Sequence, residues 1–196
     1  LKIIFASQNQ GKVKEIKDIF SDTSFEIISL YELGNNIDVE ETGKTFSENA
    51  FLKAKAVYDI YKEPVISDDS GLVIEQLDGR PGVISARYAG EKATYRDNNL
   101  KVLSELKDFP EPHKAKFVSL ALFFDGKNRI EVEGELQGII IMEERGSGGF
   151  GYDPIFIPGG YEQTIAQLSF EEKNRISHRA KSFQKLKEIL TGRFSG

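Results

Sequence analysis

Residues 5–15 read FASQNQGKVKE, a Gly-Lys pair placed between a short apolar run and a helical pattern. Leu1, Ile3, Ile4 and Phe5 make a short apolar run at its start, and Val13, Ile16, Ile19 and Phe20 recur at helical spacing at its end. Residues 7–12, SQNQGK, are therefore the turn between a buried strand and an amphipathic helix, the opening of an α/β chain. Such a turn presents backbone N–H groups and the positive end of the helix dipole to an anion. The Walker A loop would need a Gly five residues before the Gly-Lys pair and a Ser or Thr after it, but Ala6 and Val13 hold those places. Asn9, Lys12 and Glu15 remain, at three-residue steps that put a donor, a cation and an acid near one helical face. A solvated first turn is the plain alternative to phosphate binding.

Working outward, Phe25–Leu30 reads as a second strand. Thr45-Phe46-Ser47-Glu48 is a capping box with Thr45 as N-cap, opening a helix to about Lys62. Phe46, Ala50, Ala54, Val57 and Tyr61 form its apolar stripe, while Asn49 and Lys53 share a different one. Pro64–Ser67 reads as a short buried strand that ends in Asp68-Asp69-Ser70-Gly71. Thr94 opens a helix to about Phe109, with Leu100, Leu103 and Leu106 on its buried side. Phe117–Phe124 and Arg129–Leu136 make a hairpin, Gly138–Met142 a further strand, and Ile155–Ile157 a strand inside a glycine-rich region. Ser169 with Glu172 is a second capping box, and Ser177 caps a last helix that stops near Gly192. The pattern predicts a mixed α/β domain.

The 196 residues suffice for one domain, or two lobes sharing a core, and no linker or repeat is visible. With 26 basic against 31 acidic residues the net charge is −5, which argues against a general affinity for nucleic-acid backbones. No cysteine is present, which excludes disulfides, thiol catalysis and sulfur-built zinc sites, and two histidines exclude a multi-histidine metal site. The longest nearly apolar run, Val118–Phe124, falls far short of the ~20 residues needed to span a bilayer. No charged-then-apolar segment opens the sequence, so the cytoplasm is the expected location.

Three stretches are suited to chemistry. In SDDSG, residues 67–71, adjacent acids of a strand point to opposite faces, so one of them would face a cleft, with Gly71 letting the backbone turn or a ligand approach. With the upstream acids Asp38, Glu40 and Glu41 this would suit Mg²⁺, which takes one or two carboxylates plus substrate phosphates. An Asp-rich turn is the simpler alternative. In GSGGFGYDP, residues 146–154, small residues surround Phe150 and Tyr152, so two rings would be presented to a planar group, unless both are core residues. In EEKNRISHR, residues 171–179, Lys173, His178 and Arg179 lie around a helix start, where a solvated basic turn is the alternative. Together they describe a nucleotide site, with cations for phosphates, acids for a metal, rings for a base and donors for its edge.

In this combination the sequence resembles the inosine triphosphate pyrophosphatase family, enzymes that act on non-standard purine nucleoside triphosphates. The resemblance runs through SQNQGKVKE, EETGKTFSENA, SDDSGL, PGVISARYAG, GSGGFGYDPIF and EEKNRISHR, in the family's order and over nearly the whole chain. Gln8 departs from it, standing where the family has Gly. The resemblance implies hydrolysis of inosine, deoxyinosine and xanthosine triphosphates to the monophosphate and pyrophosphate, with Mg²⁺. It also implies a single domain over 1–196, an elongated mixed β-sheet flanked by helices, two lobes with an active-site cleft between them, and a homodimer. Ser7, Gln8, Asn9, Gln10, Gly11 and Lys12 would line the triphosphate. Asp69 would be the general base, with Glu40 and Asp69 on the metal, Lys53 in a catalytic place near the phosphates and Ser70 near the substrate. Phe150, Gly151, Tyr152 and Asp153 would hold base and sugar, with Lys173, His178 and Arg179 at the base edge.

Two rival readings stand beside this one. A pyrophosphatase for modified pyrimidine or standard triphosphates would share the acids and lysines. A non-catalytic purine nucleotide sensor would need the rings and basic residues but not an acid cluster beside the phosphates, so SDDSG with its upstream acids favours catalysis. A nucleic-acid-binding module is disfavoured by the acidic balance.

Overall fold

The computed structural model describes residues 1–35, 37 and 39–194, so Asp38 lies outside the described residues. Six strands and five α-helices organise them. The strands are β1 (Lys2–Phe5), β2 (Glu26–Ser29), β3 (Val65–Ile74), β4 (His113–Phe124), β5 (Arg129–Ile140) and β6 (Phe156–Pro158). The helices are α1 (Gln10–Phe20), α2 (Phe46–Tyr61), α3 (Tyr95–Leu106), α4 (Phe170–Ile176) and α5 (His178–Phe194). The strands form one mixed sheet in the order β2-β1-β3-β4-β5-β6. β1 lies parallel to β2, with Ile3 opposite Ile27, and parallel to β3, with Phe5 opposite Ile66. β6 runs antiparallel to β5, with Ile139 opposite Ile157.

The chain forms two compact units: the first holds Leu1–Asp69, Ser119–Gly134 and Arg179–Gly196, the second Ser70–Val118 and Glu135–His178. In the first, strand alternation sorts the core into two layers. Ile3, Phe5 and Ile66 pack with Ile16 of α1 and Phe183 of α5, whereas Ile4, Ala6 and Val65 pack with Ala50, Ala54 and Val57 of α2. The core of the second unit joins Leu72 and Ile74 to Val102, Phe117, Ile155 and Phe156.

Local signals placed most elements. Thr45 accepts from the Glu48 N–H at 3.1 Å, while the Glu48 carboxylate reaches the Lys44 N–H rather than closing the box on Thr45. The structure differs at three places. β3 does not end at Asp68-Asp69-Ser70-Gly71 but continues through it to Ile74, because both acids find cationic or amide partners and need no turn into solvent. The strand expected at Gly138–Met142 is the end of β5, since Gly138–Ile140 continue the same ladder onto β6. On α3 the buried positions are Asn98, Asn99, Val102 and Leu106, while Leu100 is half exposed: the stripe is rotated towards two asparagines whose amides satisfy neighbouring loops.

Gly71 also has another role than the one expected. A Cβ there would collide with the Gly82 carbonyl and lie 2.6 Å from Ser85 Oγ, so the close approach it permits is by the protein's own backbone rather than by a ligand. Ser85 Oγ accepts from the Leu72 N–H at 2.9 Å and donates to the Gly82 carbonyl at 2.6 Å, which locks that approach. Gly71→Ala is therefore expected to destabilise the protein by at least ~2 kcal/mol in urea unfolding. Gly192→Ala, in α5 with nothing near the added Cβ, should be neutral or slightly stabilising.

Candidate active site

β3 positions the central pair of acids. Ile66 and Asp68 face the layer of α1 and α5, and Val65, Ser67 and Asp69 face α2, as period-two alternation requires. Both carboxyl groups lie in the first unit and are almost fully buried, so each needs its own partners.

Asp68 is held by two cations. Lys12 Nζ donates to both its oxygens, at 3.1 and 2.9 Å, and Arg179 Nε donates to Oδ2 at 3.2 Å. Arg179 Nη1 also donates to Glu15 Oε2 at 2.8 Å, so the guanidinium joins two buried carboxylates. Burial opposes the charge on Asp68, but Lys12, Arg179 and Lys53 outweigh it and hold the carboxyl well below the usual range. Burial prevails at Lys12 and lowers its pKa despite the attraction of Asp68. Glu15, three residues after Lys12, thus pairs with Arg179 instead. Arg179, expected at a base edge, has its guanidinium beside Asp68 and Glu15, where a buried cation finds carboxylate partners and its separate N–H groups reach both.

The opposite face gathers Asp69, Asn49, Lys53 and Glu41. Asn49 Nδ2 donates to Asp69 Oδ2 at 3.0 Å, and Lys53 Nζ lies 3.8 Å from Asp69 Oδ1 and 2.6 Å from Glu41 Oε1. One turn of α2 separates Asn49 from Lys53, which brings both to the same acid. Burial raises the pKa of Asp69 to about 6; Lys53 and Asn49 oppose that rise and Glu41 adds to it. Burial also opposes the charge of Lys53, but Asp69, Asp68 and Glu41 outweigh it and raise its pKa, so the ammonium stays charged.

Glu40, the expected metal partner of Asp69, is exposed, and the adjacent Glu41 accepts from Lys53. The donor set suits a hard divalent cation: two hard-oxygen carboxylates are gathered at Asp69 and Glu41, with Glu40 next in sequence. No group of three or more metal-ligating side chains is assembled among the described residues, so such an ion would complete its shell with water and phosphate oxygens.

The turn before α1 is closed by side-chain bonds to its own backbone. Asn9 is the N-cap, its Oδ1 accepting from the Lys12 N–H at 3.1 Å, and Ser7 Oγ accepts from the Asn9 N–H at 3.2 Å. Gln8, Gln10 and Gly11 are exposed. Among the described residues positive φ occurs outside glycine only at Lys62 and Asp78, so Gln8 fits the turn without left-handed strain.

The second unit holds the other expected residues. Asp153 Oδ2 accepts from the Phe150 N–H at 2.9 Å and from Lys173 Nζ at 3.0 Å, and the same ammonium sits 4.3 Å from the centre of the Phe150 ring. Gly151 takes φ +65°, which an L side chain would resist. Tyr152 was expected to present its ring; instead it is buried and donates its hydroxyl to the Ser85 carbonyl at 2.7 Å, leaving Phe150 as the partly open ring. The buried His178 ring stacks on Phe117 at 4.8 Å, and Ser70 is half-buried.

A mixed-sheet α/β protein that places lysines and paired acids beside a strand-to-helix turn belongs to the class whose chemistry suits phosphate groups and a divalent cation. Comparison makes this particular: the chain belongs to the Ham1 family, whose model matches residues 3–189. It is 48% identical over 195 residues to a dITP/XTP pyrophosphatase of Caldanaerobacter subterraneus subsp. tengcongensis, covering 98% of each chain. It is 49% identical to a Bacillus subtilis protein of the same name, covering 95% of this chain and 96% of the other. Among solved structures it is similar to the Staphylococcus aureus Ham1 protein, at a TM-score of 0.88 and 41% identity, covering 98% of this chain and 100% of that one. A HAM1 protein from Coxiella burnetii gives a TM-score of 0.90 at 38% identity, covering 98% and 99%.

The raised pKa of Asp69 has a stability consequence in metal-free protein. The folded state holds the proton up to about pH 6 and the unfolded state releases it near 4, so folding loses stability as pH rises between them. In urea unfolding with chelator, wild type should lose ~2 kcal/mol relative to Asp69→Asn between pH 4 and pH 7. Parallel pH curves for the two proteins would show that the buried carboxylate is not destabilised.

Proposed function

We propose that this protein hydrolyses non-standard purine nucleoside triphosphates, the inosine, deoxyinosine and xanthosine forms, to the monophosphate and pyrophosphate. The observation that carries the reading is the setting of Asp69: a buried acid with a fixed amide at 3.0 Å and the ammonium of Lys53 at 3.8 Å, where burial raises its pKa to about 6. A general base is most effective in that range.

In the first unit, residues Ser7 to Lys12 and Lys53 would receive the phosphates. Asp69 would take a proton from water as the water oxygen bonds to the α-phosphorus. The bond from that phosphorus to the bridging oxygen breaks, and its electron pair leaves with pyrophosphate. Lys53, held in its charged form, stabilises negative charge on the phosphates without changing protonation. Mg²⁺ held by Asp69 and a neighbouring glutamate, Glu40 or Glu41, would supply neutralisation of the phosphate oxygens. Arg179 and Glu15 act behind these groups, fixing Asp68 and through it Lys12.

In the second unit, Phe150 would stack on the base, stiffened by Lys173 and Asp153. Donors at the base edge, Lys173 and His178, would face the 6-oxo acceptor of hypoxanthine and xanthine. Adenine presents an amino group there and would leave them unpaired, which discriminates by as much as ~10⁴-fold. Guanine shares the 6-oxo group, so its rejection falls to its 2-amino group. The family relationship also supports a homodimer and a cytoplasmic location as parts of this reading.

With Mg²⁺ and a panel of inosine, xanthosine, guanosine, adenosine and thymidine triphosphates, pyrophosphate should appear from the first two. Turnover mainly of thymidine triphosphate would favour the pyrimidine rival, and binding without turnover a sensor. Chelation should abolish turnover and Mg²⁺ restore it. Asp69→Asn should retain nucleotide binding in calorimetry and lose ~10²–10⁴-fold in kcat; near wild-type turnover would remove Asp69 from the mechanism. Phe150→Ala should raise KM for inosine triphosphate by ~5- to 100-fold, the range expected for a lost stacking contact.

A further inference from the structure

Asn49 lies on the fourth position of α2 and is completely buried. Its Nδ2 donates to Asp69 Oδ2 at 3.0 Å and its Oδ1 accepts from the Gly43 N–H at 2.8 Å. The amide orientation follows from chemistry, since an ionised carboxylate only accepts and a backbone N–H only donates. One carboxamide therefore ties the acid on β3 to the loop before α2 that carries Glu40 and Glu41. The loop comes this close because residue 43 is glycine: a Cβ there would lie 2.5 Å from Asn49 Oδ1 and 2.7 Å from Glu48 Cβ. The same loop is held at two further points, Glu41 on Lys53 and the Lys44 N–H on Glu48.

We propose that Asn49 is a positioning residue for the acid pair that receives the divalent cation: it holds Oδ2 of Asp69, directs Oδ1 to the side of Lys53, and sets the spacing of the glutamate loop from Asp69. The proposal rests on the reading of this site given above. Losing the amide removes its bonds to the Gly43 N–H and to Asp69 Oδ2 at once, so both halves of the cation site shift together. A residue that merely filled space would affect folding but not the metal requirement.

Two variants test this from opposite ends of the bond, Asn49→Leu, which keeps the volume without the amide, and Gly43→Ala, which pushes the loop off Asn49. Each is first checked for cooperative thermal unfolding and then assayed well below its midpoint. The Mg²⁺ concentration for half-maximal turnover of inosine triphosphate should rise at least ~10-fold in both, with kcat reduced and nucleotide KM changed less than ~3-fold. In the double variant the effects should be far from additive, because both changes cut one linkage. Mn²⁺ binding followed by electron paramagnetic resonance, without nucleotide, should weaken by a similar factor. This arm needs no turnover, so it separates failure of the proposal from failure of the proposed activity. Folded variants with wild-type Mn²⁺ affinity and an unchanged Mg²⁺ requirement would overturn the proposal, as would a wild-type protein that binds no Mn²⁺. Should Asn49→Leu fail to fold, Gly43→Ala alone decides between these outcomes.

Discussion

Two adjacent carboxylates in the middle of a buried strand impose the constraint on which the first unit depends. Strand alternation sends Asp68 and Asp69 to opposite faces, and neither face offers water enough to leave an acid unpartnered. Each face therefore carries its own compensating set. Lys12 from the helix after β1 and Arg179 from the first turn of α5 serve Asp68, and Asn49 and Lys53 from α2 serve Asp69. The three helices that sandwich this part of the sheet each contribute polar side chains towards the same strand while packing apolar ones beside them.

The two sets differ in strength, and this gives the acids different characters. Asp68 is bonded to Lys12 and Arg179, is also influenced by Lys53, and is held in its charged form. Asp69 has the Lys53 ammonium at 3.8 Å, the weaker influence of Lys12, a neutral amide and the opposing charge of Glu41, so burial governs and raises its pKa to about 6. A strongly ionised acid suits scaffolding, because its carboxylate keeps its charge for the cations around it. A weakly ionised one suits proton transfer. One dipeptide thus carries a firmly ionised acid and one that holds its proton far more strongly.

The second unit uses the same economy with different parts. Asp153 and Lys173 form a buried pair whose ammonium also covers the Phe150 ring. Tyr152 and Gly71 meet at Ser85, the tyrosine through its carbonyl and the glycine by leaving room beside its hydroxyl. Rings in a glycine-rich segment read alike in sequence, but only one remains partly open after the other has used its hydroxyl to anchor the neighbouring loop.

Much of this was legible in the chain itself. The apolar strand before SQNQGK, the helical spacing after it, and the threonine and serine caps are local signals, and the elements they mark stand where those signals put them. The motifs pointed to the family through their number and order along the chain, and the family model matches residues 3–189. What the sequence could not determine was pairing. Whether Asp68-Asp69 ends a strand or runs inside one depends on cations 56 and 111 residues away, which decided for a continuous strand. Arg179 stands beside His178 in sequence, yet its guanidinium joins Glu15 and Asp68, because a buried charge goes to the carboxylates that the fold brings to it rather than to its chain neighbours. Local chemistry set the elements and the kinds of groups available; tertiary packing decided which acid stays charged, which ring stays open and which glutamate meets Lys53, since burial and long-range charge are properties of the folded chain alone.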